Sequence, residues 1–522
     1  MDIIKNIKKY AELFPNRIAY KINNEILTYE ELEEKSNKLA NQIQTYAKND
    51  RTPVIVYGHK SKYMLISFLA CVKSGRAYCP IDISVPEERV KQIIKTVNPK
   101  IILSTEQLMI ENYEIWDKDK IIKECESKNS IENKYCVNEN DVFYIIFTSG
   151  STGNPKGVQI TTECLNNFLV WSTTLDGIDK KENLNFLNQA PFSFDLSVMD
   201  LYTSLATGGT LIAIDKETQS DLKKMFNIFK ESDLNVWVST PSFISMCLAD
   251  KLFCSELLPR MQTFLFCGEI LPNTTAKKIM DRFKTSNIIN TYGPTESTVA
   301  VTSVQITEDM IEKSTSLPVG KPKKDTYILI QNENHENLDE NEKGEIVIVG
   351  NTVSIGYFNN EEKTRQVFEN YRMDEKLYRS YRTGDMGYIK NGQLYYCGRI
   401  DFQVKLHGYR IEIEDIENNI LKHTSVKMVA VVPKYDEDGI TVKYLQAYIV
   451  PNNTIENNLQ EVTKIKEELR KYLPNYMIPK KIKFIENIPT TNNCKIDRKA
   501  LGKLEIWVFL EILSFLYIYL LL

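Results

Sequence analysis

"YIIFTSGSTGNPKGVQI", residues 144–160, decides how the rest of the chain is read. The aromatic and β-branched run Tyr144–Phe147 predicts a buried strand. It leads into a loop that gathers Thr148, Ser149, Gly150, Ser151 and Thr152, then Pro155, Lys156 and Gly157. Glycines permit close backbone approach, hydroxyls donate hydrogen bonds and the lysine adds a point charge, a collection that suits a phosphate. Spacing excludes two familiar phosphate loops. The residue five after Gly150 is Pro155 and Lys156 is followed by Gly157, so G-x-x-x-x-G-K-[ST] fails. G-x-G-x-x-G is absent. A plain Ser/Gly turn would explain S-G-S-T-G by itself, but the full run T-S-G-S-T-G-N-P-K-G behind a strand is far more specific.

Outward from this loop, short apolar runs recur: VIVY at 54–57, KIIL at 100–103, TLIAI at 210–214, NVWVS at 235–239, TFLFC at 263–267 and NIIN at 287–290. Helical patterns lie between many of them, and the alternation predicts α/β architecture with largely buried sheets. Thr28 and Glu31 have capping-box spacing ahead of Leu32, Leu39, Ala40 and Ile43, which predicts a helix over 28–45. After about residue 320 the runs YILI, GEIVIVG and QLYYCGR predict an antiparallel, strand-rich section. From 401 onward a small unit is expected: a charged helix at 414–422, two strands within 426–450 around an Asp438-Gly439 turn, and a second helix at 461–472. The expected fold class is α/β, with a large N-terminal domain (1–400) of α/β subdomains and a β-rich subdomain. A small α+β C-terminal domain (401–503) and an atypical apolar tail (504–522) complete the expected organisation.

The 522 residues exceed what one core supports, so two or more domains are expected. Hydrophobic residues at 43%, charged residues at 26% and a net charge of −4 are ordinary for a soluble chain and give no basic field for nucleic acid. The ten cysteines are scattered without a CxxC pair. The first residues, "MDIIKNIKKYAELFPNR", form an amphipathic pattern broken by charges rather than a signal peptide. Together these predict reduced thiols and a cytoplasmic location. The four histidines, at 59, 335, 407 and 423, are far apart and support neither a zinc site nor a Ser-His-Asp triad.

The loop at 148–157 resembles the signature of the adenylate-forming superfamily, which includes acyl-CoA synthetases, luciferases and peptide-synthetase adenylation domains. Four more stretches resemble its motifs in order: NTYGPTE (290–296), YRTGD (381–385), GRIDFQVKLHGYRIE (398–412) and PTTNNCKIDRKAL (489–501). The resemblance covers roughly residues 1–503. NQAPFSFDLSVMDLYTSLATGGTL (188–211) and FLFCGE (264–269) are similar to one branch, the D-alanine–D-alanyl carrier protein ligases. That branch starts the D-alanylation of teichoic acids in Gram-positive bacteria.

The resemblance implies ATP-dependent activation of D-alanine as D-alanyl-AMP, then transfer to the phosphopantetheine thiol of a carrier protein. A carboxylate must meet the α-phosphate of ATP, so the site has to supply positive charge and orientation. Thr148, Ser149, Gly150, Ser151, Thr152 and Lys156 would hold the outgoing phosphates. Glu296 would bind Mg²⁺, a hard cation that prefers oxygen. Asn290, Thr291, Tyr292, Gly293, Pro294 and Thr295 would lie along the nucleotide, with the Tyr292 ring against adenine. Asp385 would accept the ribose hydroxyls, and Tyr396, Cys397, Gly398 and Arg399 would flank them. Lys495 would reach in from the small domain, touching both ATP and substrate, and Asp401 would be the hinge. Asp195 lies in the apolar stretch PFSFDLSV, where a carboxylate needs a partner. The ammonium of an amino acid serves, and so does a helix N-terminus that it would cap. Cys267 follows a buried strand and packs a core on the plainer reading; the resemblance has it shape the pocket for the methyl group, with Val299.

Two features depart from the family. Cys494 stands where members usually carry glycine; where that position needs a positive φ, a side chain costs roughly 1 kcal/mol or more. The tail IWVFLEILSFLYIYLLL (506–522) has no counterpart. It is at the short limit for a span, with Glu511 costly at mid-bilayer. It reads either as an anchor that gives membrane proximity or as a frame change near the normal end of the gene. The proximity of the two irregularities favours the frame change. No carrier domain is recognisable after 503, so the carrier is expected to be a separate protein. Two alternatives stand beside D-alanine activation: adenylation of another small amino acid, and a nucleotide-binding homologue impaired in catalysis.

Overall fold

The predicted strand at 144 runs from Val142 to Thr148 and lies in a six-stranded sheet. The order is Ile115–Trp116, Ile102–Ser104, Val54–Gly58, Tyr78–Asp82, Val142–Thr148, Lys156–Thr161. All pairs are parallel except the last, where Thr148 faces Lys156 across an antiparallel hairpin. The computed structural model describes residues 2–130, 135–150, 154–179, 181–373, 375–401, 403–436, 439–455, 457–490, 496–498 and 500–502. The described residues of Met1–Ile83, Val90–Thr148 and Lys156–Asp401 form one unit, and those of Ser84–Arg89, Ser149–Pro155 and Phe402–Leu522 a second.

The first unit holds two further sheets. One has nine strands, in the order Lys321–Pro322, Thr302–Gln305, Asn287–Tyr292, Thr263–Phe266, Val236–Ser239, Asn185–Asn188, Thr210–Ala213, Ile18–Ile22 and Glu25–Thr28. From Asn287–Tyr292 to Ile18–Ile22 every pair is parallel. Successive residues point to opposite faces, so both faces of this sheet are apolar. Phe186, Val236, Val238 and Leu265 enter the core shared with the six-stranded sheet. Leu187, Trp237, Phe264 and Phe266 pack on the other face against the helices Leu222–Glu231, Pro241–Cys247 and Asn273–Arg282. The helices Lys62–Lys73 and Leu196–Ala206 belong to the shared core, and Leu196–Ala206 is buried along its whole length. Its polar residues Ser197, Asp200, Thr203 and Ser204 are buried with the rest, and Asp200 Oδ1 accepts from Asn188 Nδ2 at 3.0 Å.

The third sheet is antiparallel, as the texture after residue 320 predicts. Thr326–Gln331, Gly344–Gly350, Lys376–Lys390 and Phe368–Met373 pair in that order, and Gln393–Arg399 pairs with Lys376–Lys390. The capping box also forms as read: Thr28 caps the helix Tyr29–Ala47, and the Glu31 side chain returns to the Thr28 backbone.

In the second unit the hairpin Gln403–Leu406/Tyr409–Glu412 leads into the helix Ile413–Ile420. The strands Val426–Tyr435 and Val442–Pro451 are antiparallel; Lys481–Phe484 adds a parallel third, and the helix Asn458–Leu469 packs with them through Ile465 and Leu469. Of the predicted turn, Gly439 has φ 69° and Asp438 lies outside the described residues. None of the described cysteines forms a disulfide. Among the described residues no helix is long and apolar enough to cross a membrane. The tail at 504–522 lies outside them, so its expected membrane proximity gains no support.

Candidate active site

Register brings the ribose motif together. Asp385, on Lys376–Lys390, and Arg399, on Gln393–Arg399, are direct partners across the antiparallel pair. Arg399 Nη1 donates to Asp385 Oδ1 at 2.8 Å and to the Thr383 carbonyl at 2.7 Å. Tyr292 Oη donates to Asp385 Oδ2 at 2.7 Å. The carboxylate is 1% exposed and receives a donor on each oxygen. Arg399 also forks onto Asp401, with Nε–Oδ1 at 2.9 Å and Nη2–Oδ2 at 2.5 Å. One guanidinium therefore joins the ribose candidate to the hinge candidate.

The bend that presents Asp385 is built locally. Gly384 has φ 68°, and a Cβ there would lie 2.7 Å from Arg399 Nη2. Thr383 Oγ1 accepts from Asp385 N at 2.9 Å, and Glu345 Oε1 accepts from Gly384 N at 3.0 Å while its other oxygen pairs with Arg382. Glu345 was not singled out from sequence, because its role exists only once two distant strands pair.

The turn after Asn287–Tyr292 carries the other nucleotide candidates. Asn290 is 2% exposed; its amide donates to the Pro318 carbonyl at 2.8 Å, and its Oδ1 is buried without a hydrogen-bond partner. Thr291 Oγ1 donates to the Phe266 carbonyl at 2.8 Å, tying this strand to the residue before Cys267. Gly293 allows the chain to double back: a Cβ there would lie 2.5 Å from Ala300 Cα. Pro294 leads into the short helix Thr295–Ser297. The Tyr292 ring packs with Val301, Val319, Tyr381 and Leu394, 6.0 Å from the Tyr396 ring. It is thus a core ring with a polar end on Asp385. Burial and the neighbouring Asp385 charge push its phenol well above the ordinary value. Cys397 is half-buried, which raises its thiol, and Gly398 has φ 107°.

Glu296 is fully buried, and its Oε1 accepts from Tyr357 Oη at 2.8 Å. The ammonium of Lys156 lies 5.3 Å from the centre of the same tyrosine ring. Tyr357 carries no motif signal, since it is joined to Lys156 and Glu296 by the fold alone. Among the described residues no group of three or more His, Cys, Asp or Glu surrounds a point in space. A single buried carboxylate fits the usual protein share of an Mg²⁺ site, where substrate phosphates and water supply the remaining oxygens.

Of the substrate candidates, Cys267 and Val299 meet. Asp195 is 7% exposed at the start of Leu196–Ala206, with αR backbone and no cap hydrogen bond. The capping alternative therefore does not describe its carboxylate. Cys267 follows Thr263–Phe266, and its Sγ donates to the Val299 carbonyl at 3.6 Å. Thr298 and Val299 have φ of 63° and 67°, two β-branched residues in left-handed geometry. Such geometry costs of order 1–3 kcal/mol per residue and persists where surroundings impose it. Here Thr298 Oγ1 donates to the Thr352 carbonyl at 2.7 Å, and Ala300 N donates to the Thr298 carbonyl at 2.8 Å.

The phosphate loop divides between the units. Thr148 ends its strand and Lys156 begins the next in the first unit. Ser149 and Gly150 fall in the second, where Ser149 Oγ donates to the Arg410 carbonyl at 2.8 Å. Ser151, Thr152, Cys494 and Lys495 lie outside the described residues. Nearby, Thr490 and Ile496 form an antiparallel bridge, and Arg498 Nη2 donates to both oxygens of Glu417 at 2.7 and 2.8 Å.

Residues 7–358 match the family described as AMP-binding enzyme, and residues 415–495 match the AMP-binding enzyme C-terminal domain. The chain is 45% identical over 506 residues to proteins named D-alanine–D-alanyl carrier protein ligase from Bacillus mycoides (strain KBAB4) and Bacillus cereus (strain B4264), covering 96% of this chain and 99% of each relative. Among solved structures it is similar to an o-succinylbenzoate CoA synthetase from Bacillus subtilis (TM-score 0.82, 21% identity, 95% of this chain and 98% of that one). It is also similar to an adenylation domain from Vibrio cholerae solved with glycyl-adenosine-5′-phosphate (TM-score 0.79, 23% identity, 97% of each chain). These structures share the fold.

Proposed function

The chain belongs to the AMP-binding enzyme family, and on that premise we propose that it is an AMP-forming ligase that activates D-alanine with ATP and passes it to a D-alanyl carrier protein. The observation that carries this reading is one turn, residues 290–299. It joins the tyrosine that holds Asp385 to Glu296 and then to Val299 against Cys267. Nucleotide and substrate candidates thus lie along one short piece of backbone, which supports the reading. The 45% identity over 96% of the chain supports the same activity. The reaction would begin teichoic acid D-alanylation from the cytoplasmic side.

In the first half-reaction a carboxylate oxygen of D-alanine bonds to the α-phosphorus of ATP, and pyrophosphate leaves. Asp195 receives the substrate ammonium, which orients the carboxylate. Lys156, with Thr148, Ser149, Gly150, Ser151 and Thr152, holds the outgoing phosphates. Asp385, fixed by Tyr292 and Arg399, accepts the ribose hydroxyls. Asn290 Oδ1 offers an acceptor for the adenine amino group, beside Tyr292 and Tyr396. Mg²⁺ held by Glu296 would neutralise phosphate charge. Lys495 offsets the repulsion between the two anions as they meet. In the second half-reaction the phosphopantetheine sulfur bonds to the acyl carbon and AMP leaves, after the domain beginning near Asp401 turns about that residue.

Amino-acid-dependent ATP–pyrophosphate exchange tests the reading, with D-alanine, L-alanine, glycine and acetate compared on the full chain and on Cys494→Gly. Exchange with D-alanine well above the others is the expected result. Exchange with glycine or L-alanine instead would assign another small amino acid. Exchange that appears only in Cys494→Gly would identify a nucleotide-binding chain with a misplaced lysine.

A further inference from the structure

Tyr357 touches two residues that the proposed reaction uses for different purposes. Its hydroxyl donates to Glu296 Oε1 at 2.8 Å, and its ring lies 5.3 Å from the Lys156 ammonium. All three side chains are at least nine-tenths buried. A phenol that donates to an anion gains electron density in its ring, and a richer ring attracts a cation more strongly. The two contacts therefore reinforce each other.

The backbone around Tyr357 is stitched to both partners. Tyr357 bridges Val158, Phe358 N donates to the Gly157 carbonyl at 2.7 Å, and Gln159 N donates to the Gly356 carbonyl at 3.1 Å. On the other side Ser354 N donates to the Glu296 carbonyl at 2.8 Å. Tyr357 N itself donates to Thr364 Oγ1 at 3.0 Å, on the helix Glu361–Val367. The tyrosine is held by main chain, so it can hold the two charged side chains in turn.

We propose that Tyr357 is a positioning residue that fixes the spacing between the phosphate-loop lysine and the metal-side carboxylate, and so sets how strongly nucleotide binding depends on Mg²⁺. The proposal rests on the reading of Lys156 and Glu296 given above. Tyr357 acts through those two side chains. Its ring steadies the cation and its hydroxyl orients the carboxylate, two contributions that separate by mutation.

The test compares Tyr357→Phe and Tyr357→Leu with the parent chain by thermal unfolding in ATP with EDTA and in ATP with graded MgCl₂. Tyr357→Phe keeps the ring and should keep most of the ATP shift in EDTA, while half-saturation by Mg²⁺ rises roughly tenfold, the size expected for one hydrogen bond to a charged group. Tyr357→Leu should also lose most of the shift in EDTA. Combined with Glu296→Gln, Tyr357→Phe should add nothing to the Mg²⁺ requirement, because its partner is already changed. This cycle carries the test if the leucine variant fails to fold. Unchanged Mg²⁺ half-saturation in Tyr357→Phe, or additive effects with Glu296→Gln, overturns the proposal. A parent chain whose unfolding ignores ATP altogether overturns the nucleotide reading and this inference with it.

Discussion

Tyr292 Oη donates to Asp385 Oδ2 at 2.7 Å, linking the end of a parallel strand to an antiparallel sheet through a carboxylate that is 1% exposed. The aspartate is thus held by protein donors on both oxygens. Replacing Tyr292 by Phe leaves a buried carboxylate short of one donor, at a cost of about 1–3 kcal/mol. The expected outcome is a lower urea midpoint and a raised KM for ATP, with the KM for D-alanine unaltered. A normal KM for ATP in this variant would separate Asp385 from ribose binding.

Asp195 makes the opposite prediction. Asparagine keeps the size and hydrogen-bonding capacity of the side chain and removes only its charge, so Asp195→Asn should leave the melting temperature within a few degrees of the parent. It should raise the KM for D-alanine at least tenfold, with ATP affinity preserved. A large loss of stability with unchanged D-alanine kinetics would make the residue structural.

At Thr298 the ordinary ranking of substitutions should invert. Valine is nearly isosteric, but it keeps the strain of φ 63° and removes the hydroxyl that reaches the Thr352 carbonyl. Glycine also loses the hydroxyl and adopts that φ freely. Thr298→Val is therefore expected to unfold at lower urea concentration than Thr298→Gly. The reverse order would show that the turn is not strained.

Lys323 supplies a pH dependence. It is 6% exposed, and burial holds its ammonium down at about 8 from 10.5, against the opposing pull of Asp325 and Cys164. Between those values the unfolded chain keeps a proton that the folded chain has released, so stability rises with pH, by at most ~1.4 kcal/mol per unit. Below about 8 both states hold the proton, and this contribution no longer varies. Lys323→Met should be more stable than the parent near neutral pH and lose the rise above it. Urea midpoints at about pH 7.5 and about pH 9.5 decide it; parallel pH profiles would refute it.

What sequence made legible was whatever is encoded contiguously. The capping box at Thr28 and Glu31 and the buried strands at Val236–Ser239 and Thr263–Phe266 follow from local pattern, and the motifs place Arg399 near Asp385, but their pairing across two strands appears only in the structure. Glu345, Thr298 and Tyr357 were not legible, because a glutamate on a strand, a threonine in a turn and a tyrosine after a glycine acquire roles only through contacts many residues away. Tyr292 was half legible. Its place beside the nucleotide candidates follows from the motif, but its burial and its bond to Asp385 depend on the third sheet.

The paired left-handed residues at 298 and 299 bear on how substrate preference is moved from one protein to another. Val299 meets Cys267 through its carbonyl, whose direction is set by backbone that Gly293, Thr298 and the Thr352 carbonyl hold together. Grafting a side chain at 299 alone transfers chemistry without the frame that aims it. The transplantable unit is the loop 293–300 together with its anchor at 352, and chimaeras cut inside it should inherit the selectivity of neither parent.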